Sequence, residues 1–322
     1  MKLPVFDLHC DTALELIGKD LKSKTRLSQN KGHIDLERAK ELGGYCQCFA
    51  MFTFPKFREW FGRPVTEVFE AMLSNLLTEL DENRDLITLA RTPEEIRENL
   101  SRGIMSAVLT LEGPAGIDYD PARLEELHSR GFRISTLGWN EKNSLVGSHY
   151  TGGGLTDRGR EYVRECQRLG ILVDVSHISD EGFWDIMDIT QAPVIASHSN
   201  SRAVYDVSRN LTDEMFRQIC ATGGTAGMNL YTEFLGEQKV SLDTVCDHIL
   251  HLMELDPDGT HISLGGDLDG CEALPEGFSG VNGYNALADQ LLVRGMDEKT
   301  IRNIYWHNTM GVMDRAVRVH QK

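Results

Sequence analysis

Residues 171–177, Ile-Leu-Val-Asp-Val-Ser-His, and residues 193–200, Pro-Val-Ile-Ala-Ser-His-Ser-Asn, decide the fold. Each is a short apolar run leading into a Ser-His pair, Ser176-His177 and Ser197-His198. The run length and the β-branched residues mark buried strands. Between them, residues 180–187 carry a helical pattern, and residues 157–169 carry another just before. Strand–helix–strand at this spacing implies parallel strands with a right-handed crossover.

Working outward, the same alternation covers the chain. Eight strands are expected, at residues 5–9, 45–52, 104–111, 134–139, 171–176, 193–196, 225–230 and 261–264. Helices are expected at 65–80, 121–129, 157–169, 180–187, 213–221 and 242–253, and the tail over 285–319 reads as two or three more. Thr156, Ser179 and Thr212 precede acidic first turns and are natural N-caps. No linker or repeat divides the 322 residues. The expectation is therefore one α/β domain over 1–322, a (β/α)8 TIM barrel with a C-terminal helical extension. An open doubly wound sheet is the rival, but no GxGxxG follows an early strand.

In barrels of this kind, chemistry gathers at the C-terminal ends of the strands. Here those ends are polar. The first strand ends in His9-Cys10-Asp11, and residues two apart share a face, so His9 and Asp11 point into the mouth together. Cys10 then faces the helices. The third strand ends in Glu112, a carboxylate directly after an apolar run, costly unless paired. It serves either as a helix cap or as a ligand whose two oxygens bridge two metals. His177 and His198 end the fifth and sixth strands, and neutral imidazoles suit zinc. The last strand runs into Gly-Gly-Asp267-Leu-Asp269-Gly, which lacks the further oxygens of a calcium loop. Asp267 is placed beside the metals to orient or deprotonate a water. The expected sets are His9, Asp11 and Glu112 for one metal, and Glu112, His177 and His198 for the other. Two Zn2+ bridged by Glu112 and a water or hydroxide can hydrolyse an amide.

Composition narrows the partners. A formal net charge of −16 disfavours nucleic acid and anionic membrane surfaces. The seven cysteines form no framework, and Cys46 and Cys48 would share a strand face as core thiols. A reducing, cytoplasmic compartment is expected. The amino terminus MKLPVFDLHCDT has no long apolar segment and no run approaches about 20 apolar residues, so no leader and no spanning helix are expected.

Five segments carry a resemblance: FDLHCDT, TLEG, GLTDRGREYVRECQRLGILVDVSH, PVIASHSNSRAVYDVSRNLTDEM and LGGDLDG, in this order over residues 6–270. Together they resemble the membrane (renal) dipeptidase family, dizinc peptidases of the metal-dependent amidohydrolase group. The resemblance implies cleavage of dipeptides, with D-residues among the accepted C-terminal groups and a homodimer as the assembly. It assigns His9, Asp11 and Glu112 to one zinc and Glu112, His177 and His198 to the other, with Asp267 as the catalytic aspartate. Arg209 matches the arginine that grips the substrate carboxylate, and Tyr231 matches a pocket-lining residue. Animal members carry a histidine after the fourth strand that contacts the reacting carbonyl; here Trp139 stands in that place and is expected, with Arg209 and Tyr231, to bind substrate. His149, in the glycine-rich loop that follows, is expected to be an exposed loop histidine. Two other readings remain: an amidohydrolase of N-acyl amino acids or lactams, and a metal-bound scaffold without catalysis.

Overall fold

The structure, a computed structural model, describes residues 1–320. Nine strands appear among the described residues: β1 (Pro4–Cys10), β2 (Gly44–Phe52), β3 (Ile87–Leu89), β4 (Met105–Glu112), β5 (Phe132–Thr136), β6 (Leu172–Asp174), β7 (Val194–Ile195), β8 (Ala226–Met228) and β9 (Ile262–Leu264). All pair in parallel, in the order β7-β6-β5-β4-β2-β1-β9-β8. The ends of this path meet. Ala196 bridges Ala226, the Ala196 N–H donates to the Thr225 carbonyl at 3.1 Å, and the Gly227 N–H donates to the Ala196 carbonyl at 2.8 Å. Eight strands thus close a barrel, and they are the eight expected.

The ninth, β3, was not expected. It is three residues long and pairs with the start of β4, below the point where β5 takes over that edge. So short a segment carries no readable period. Closure depends on glycine near β7–β9. A Cβ on Gly227 would lie 2.0 Å from the Ser197 carbonyl oxygen, and one on Gly265 only 1.7 Å from it.

Inside the barrel, Phe6, Leu8, Cys46, Cys48, Val108, Ile134, Leu172 and Ile195 pack as one cluster with Trp306, Met310 and Met313. The last three come from the tail, which therefore plugs the floor; the Phe6 and Trp306 rings lie 5.7 Å apart. The tail comprises helices Tyr284–Val293, Glu298–Arg302 and Asn308–His320, the last two joined by a π-turn at Asn303–His307. Outside, helices bury one stripe each. In Val65–Glu82 the buried positions Val68, Phe69, Met72, Leu73, Leu76 and Leu80 recur at helical spacing. Thr156, Ser179 and Thr212 cap their helices as expected, accepting from the N–H groups of Gly159, Gly182 and Met215. Each such cap contributes about 1 kcal/mol. No helix among the described residues is long and apolar enough to cross a membrane.

Candidate metal centre

Simple alternation does not by itself place His9 in the mouth. Phe6 and Leu8 face the interior, so an unbroken strand would turn His9 outward. The register supplies the correction. Asp7 pairs with Gln47, yet Cys10 pairs with Phe49, so β1 spends one extra residue there. This bulge turns His9 inward after Leu8 while Cys10 packs with the outer core. His9 and Asp11 then reach the same cluster, as expected.

The Asp7 carboxylate fixes the bulge. It accepts the N–H groups of His9 and Gly266, each at 3.0 Å, and the Tyr284 hydroxyl. One buried anion thus ties the end of β1 to the loop after β9. His177, His198 and Asp267 each sit three residues past the last residue of β6, β7 and β9. His177 and Asp267 adopt left-handed backbone, φ 69° and 56°. Histidine and aspartate tolerate that region better than most residues.

At the mouth, His9 Nε2 lies 3.2 Å from Glu112 Oε2, and His177 Nε2 lies 3.0 Å from Glu112 Oε1. His198 Nε2 is 3.7 Å from Oε1 and 2.9 Å from His177 Nε2. Glu112 therefore offers one oxygen to each expected set. The cap reading of Glu112 falls, because the short helix after it receives no side-chain cap.

The donor atoms of His9, Asp11 and Glu112 lie within 4.8 Å of one another, as do those of Glu112, His177 and His198. His9 Nε2, Asp11 Oδ1 and Glu112 Oε2 are buried without a hydrogen-bond partner. The His9–Glu112 pair is close but not aligned as a hydrogen bond, which suits a common third partner. Buried carboxylates and imidazoles aimed at one point call for a cation. The residues present fit two metal ions sharing Glu112.

The remaining ring nitrogens are held from behind. His177 Nδ1 lies 2.9 Å from Asn140 Oδ1. His198 Nδ1 lies 2.6 Å from Ser197 Oγ, which in turn bonds the Asp174 carboxylate. Asp174 also accepts the N–H groups of Ser176 and Ser197 and the Thr136 hydroxyl. Such partners set which nitrogen faces a metal. Asp7 and Asp174 had a readable signal, since each is a charge inside an apolar strand run. Asn140 had none, because loop geometry places it.

Electrostatics follow from this crowding. Burial pulls the His9 imidazole down, but Glu112, Asp11 and Asp267 outweigh it and push His9 up to about 10. Burial, with the Arg209 charge nearby, takes His177 down to about 4 and His198 well below its usual value. Metal-free protein at neutral pH therefore carries a proton on His9. Metal binding must expel it. Zinc uptake at pH 7.5 is expected to release at least about one proton per chain and to weaken as pH falls. Calorimetry in two buffers of different ionisation enthalpy reads this directly; uptake without proton release would mean that His9 is already neutral in the metal-free protein.

Asp267 lies 3.8 Å from His9 Nε2 and accepts from the Asn229 amide at 3.1 Å. Burial, reinforced by Glu112 and opposed by His9 and Arg209, raises its carboxyl to about 6. Arg209 is only 4 % exposed. Its Nη1 donates to Ser199 Oγ at 2.6 Å, while Nε and Nη2 have no partner. The Phe234 ring lies 5.6 Å from its guanidinium carbon, and Tyr231 packs edge-on against Phe234. Arg209, Asp267 and Tyr231 thus stand on the β7–β9 side of the mouth.

Trp139 lies three residues beyond β5, half-buried, its ring 6.4 Å from His177. His149 departs from expectation. It is half-buried, and its ring nitrogens meet Asn140 Oδ1 and Ser208 Oγ, each at 3.0 Å. Both nitrogens are spent on these neighbours, so it supports Asn140 and does not replace the animal histidine.

A parallel barrel whose strand ends gather two histidine–carboxylate sets around one shared glutamate is an arrangement that metallohydrolases use. The chain belongs to the membrane dipeptidase family, peptidase family M19, whose model matches residues 1–322. An uncharacterized dipeptidase of Schizosaccharomyces pombe is 32% identical over 224 residues, 68% of this chain and 55% of its own length. A dipeptidase of Clonostachys rogersoniana is 30% identical over 76% of this chain and 64% of its own. The match thus spans little more than half the length of the first of these relatives. A crystal structure of a metallo peptidase from Rhodobacter sphaeroides, liganded with a phosphinate mimic of the dipeptide L-Ala-D-Ala, superposes with TM-score 0.86 at 29% identity, covering 98% of this chain and 100% of that one.

Proposed function

We propose that this barrel, as one domain over residues 1–322, is a dizinc dipeptidase that accepts D-residues at the C-terminal position. The observation that carries it is Arg209: a buried guanidinium with two donor nitrogens, Nε and Nη2, left unpaired beside the metal-binding cluster. A buried cation with free donors is costly unless an anion completes it. The free carboxylate of a dipeptide does so in bidentate fashion. The D-residue part is supported by the Rhodobacter neighbour, which is bound to a mimic of L-Ala-D-Ala.

Arg209 then holds the substrate's C-terminal carboxylate on the β7–β8 side and sets the scissile carbonyl over Glu112, His177 and His198. Asp174, through Ser197, keeps His198 in the tautomer whose Nε2 faces the cluster. Asn140 does the same for His177. Asp267, steadied by Asn229, takes a proton from the attacking water and returns it to the leaving amine. Two zinc ions held by His9, Asp11, Glu112, His177 and His198 would lower the pKa of that water and polarise the carbonyl. All seven cysteines are free thiols, which supports a reducing, cytoplasmic setting.

The test is to count zinc per chain and to assay dipeptides with L and D C-terminal residues beside N-acyl amino acids. Zinc near two and chelator-sensitive cleavage of dipeptides alone are expected. Arg209→Met should cut kcat/KM on dipeptides by about a hundredfold or more, as two charge-assisted bonds are lost. Bound metal without amide hydrolysis would sink the proposal, and equal turnover of blocked N-acyl substrates would move it to a general amidohydrolase.

A further inference from the structure

A chain of aromatic rings runs from the metal-binding cluster toward solvent, and beyond Trp139 the chemistry above uses none of it. Phe52 ends β2 in register with Glu112 on β4. Trp139 lies 4.9 Å from both Phe52 and Phe54, ring to ring. Phe54 meets Trp60 edge-on at 4.8 Å, and Phe57 packs beneath all but Trp139. Phe52, Phe54 and Phe57 are buried core. Trp139 is half-buried, and Trp60 is 56 % exposed. Trp139 and Trp60 thus keep exposed surface along a chain of ring contacts that begins at His177.

Position decides what covers them. Arg209 follows β7, and in the barrel order β2 lies four strands away, on the opposite wall. A dipeptide anchored by its carboxylate at Arg209, with its carbonyl over the cluster, must project its N-terminal residue away from β7. Successive Cα atoms are about 3.8 Å apart, so the first side chain lands on the β2–β5 side and the second cannot. We propose that Trp139 and Trp60, backed by Phe52 and Phe54, form the subsite for the substrate's N-terminal side chain and select large apolar or aromatic residues there. This rests on the dipeptidase reading and goes beyond it, since no metal or carboxylate chemistry requires an aromatic wall.

The test varies one residue at a time. A panel X-Ala, with the alanine in L and D form and X as Gly, Leu, Phe or Asp, is assayed with the zinc-loaded enzyme. Phe and Leu are expected to exceed Gly in kcat/KM by about tenfold or more, which is what a filled apolar pocket yields. Trp139→Ala and Trp60→Ala should each cut the Phe-to-Gly ratio by about fivefold or more, chiefly through KM. Trp60 is on the surface, so its variant folds even if the Trp139 variant does not. Varying the C-terminal residue against a fixed Gly should show no such dependence on Trp60. Turnover of all four at like efficiency, or a ratio unmoved in the Trp60 variant, overturns the subsite while leaving the dipeptidase reading intact. Turnover of no member of the panel overturns the dipeptidase reading and the subsite with it.

Discussion

Glu112→Gln is expected, with Glu112 shared between two metal ions as proposed, to lose both of them and to retain less than about a thousandth of wild-type turnover, since removal of a shared ligand disables both halves of a two-metal site. The two carboxylate oxygens face different partners, Oε2 toward His9 and Oε1 toward His177 and His198. The amide keeps the size but replaces one charged oxygen with an N–H2 donor. That donor cannot ligate and would point at imidazole nitrogens meant for a cation. Metal content by mass spectrometry reads the result without relying on activity. A second readout is thermal. Zinc bound only to the folded state raises its melting temperature in proportion to RT ln(1 + [L]/Kd), so the zinc-dependent rise should vanish in the variant. A variant that binds two zinc ions like wild type would make Glu112 a spectator.

The barrel was legible because its evidence is periodic and repeated. Eight apolar runs with β-branched residues, spaced by helical stripes, leave few topologies. The residues of the cluster were legible because a charge or imidazole at the end of a buried strand has few other reasons to be there. What stayed hidden has a common cause: it depends on departures from period. The β1 bulge adds one residue that sequence alone does not announce, yet without it His9 would face the helices. The tail reads as helices, but its plugging of the floor through Trp306 depends on closure. Asn140 and His149 meet only because the loop after β5 folds back onto His177, where the His149 N–H donates to the His177 carbonyl at 2.9 Å. Loops carry function on a scaffold that strands define, and their geometry is set by tertiary contact.

Asp267→Asn should lower kcat by about a hundredfold to ten-thousandfold while leaving zinc content unchanged, the range a positioned proton-transfer group contributes. Two alternatives make the metal readout decisive. Asp267 also forms a close triad with His9 and His198, so it could ligate a metal instead. In that case the amide would lower zinc occupancy along with rate. If it moves protons, the metals stay and only the rate falls. Backbone strain does not confuse the comparison, because asparagine accepts the left-handed φ of 56° at this position as readily as aspartate. The Asn229 amide that donates to Asp267 can still meet the oxygen of the new amide.

A pH profile then separates proton transfer from mere positioning. The base must be ionised, so activity should rise with pH through the Asp267 pKa. Burial, with Glu112, sets that value near 6 in the metal-free protein. Nearby cations favour the carboxylate, so the acid limb of kcat should fall at or below about 6 in the loaded enzyme. In the asparagine variant kept saturated with zinc that limb should disappear, leaving residual turnover flat across it. A variant that keeps the limb would place the titrating group elsewhere in the site.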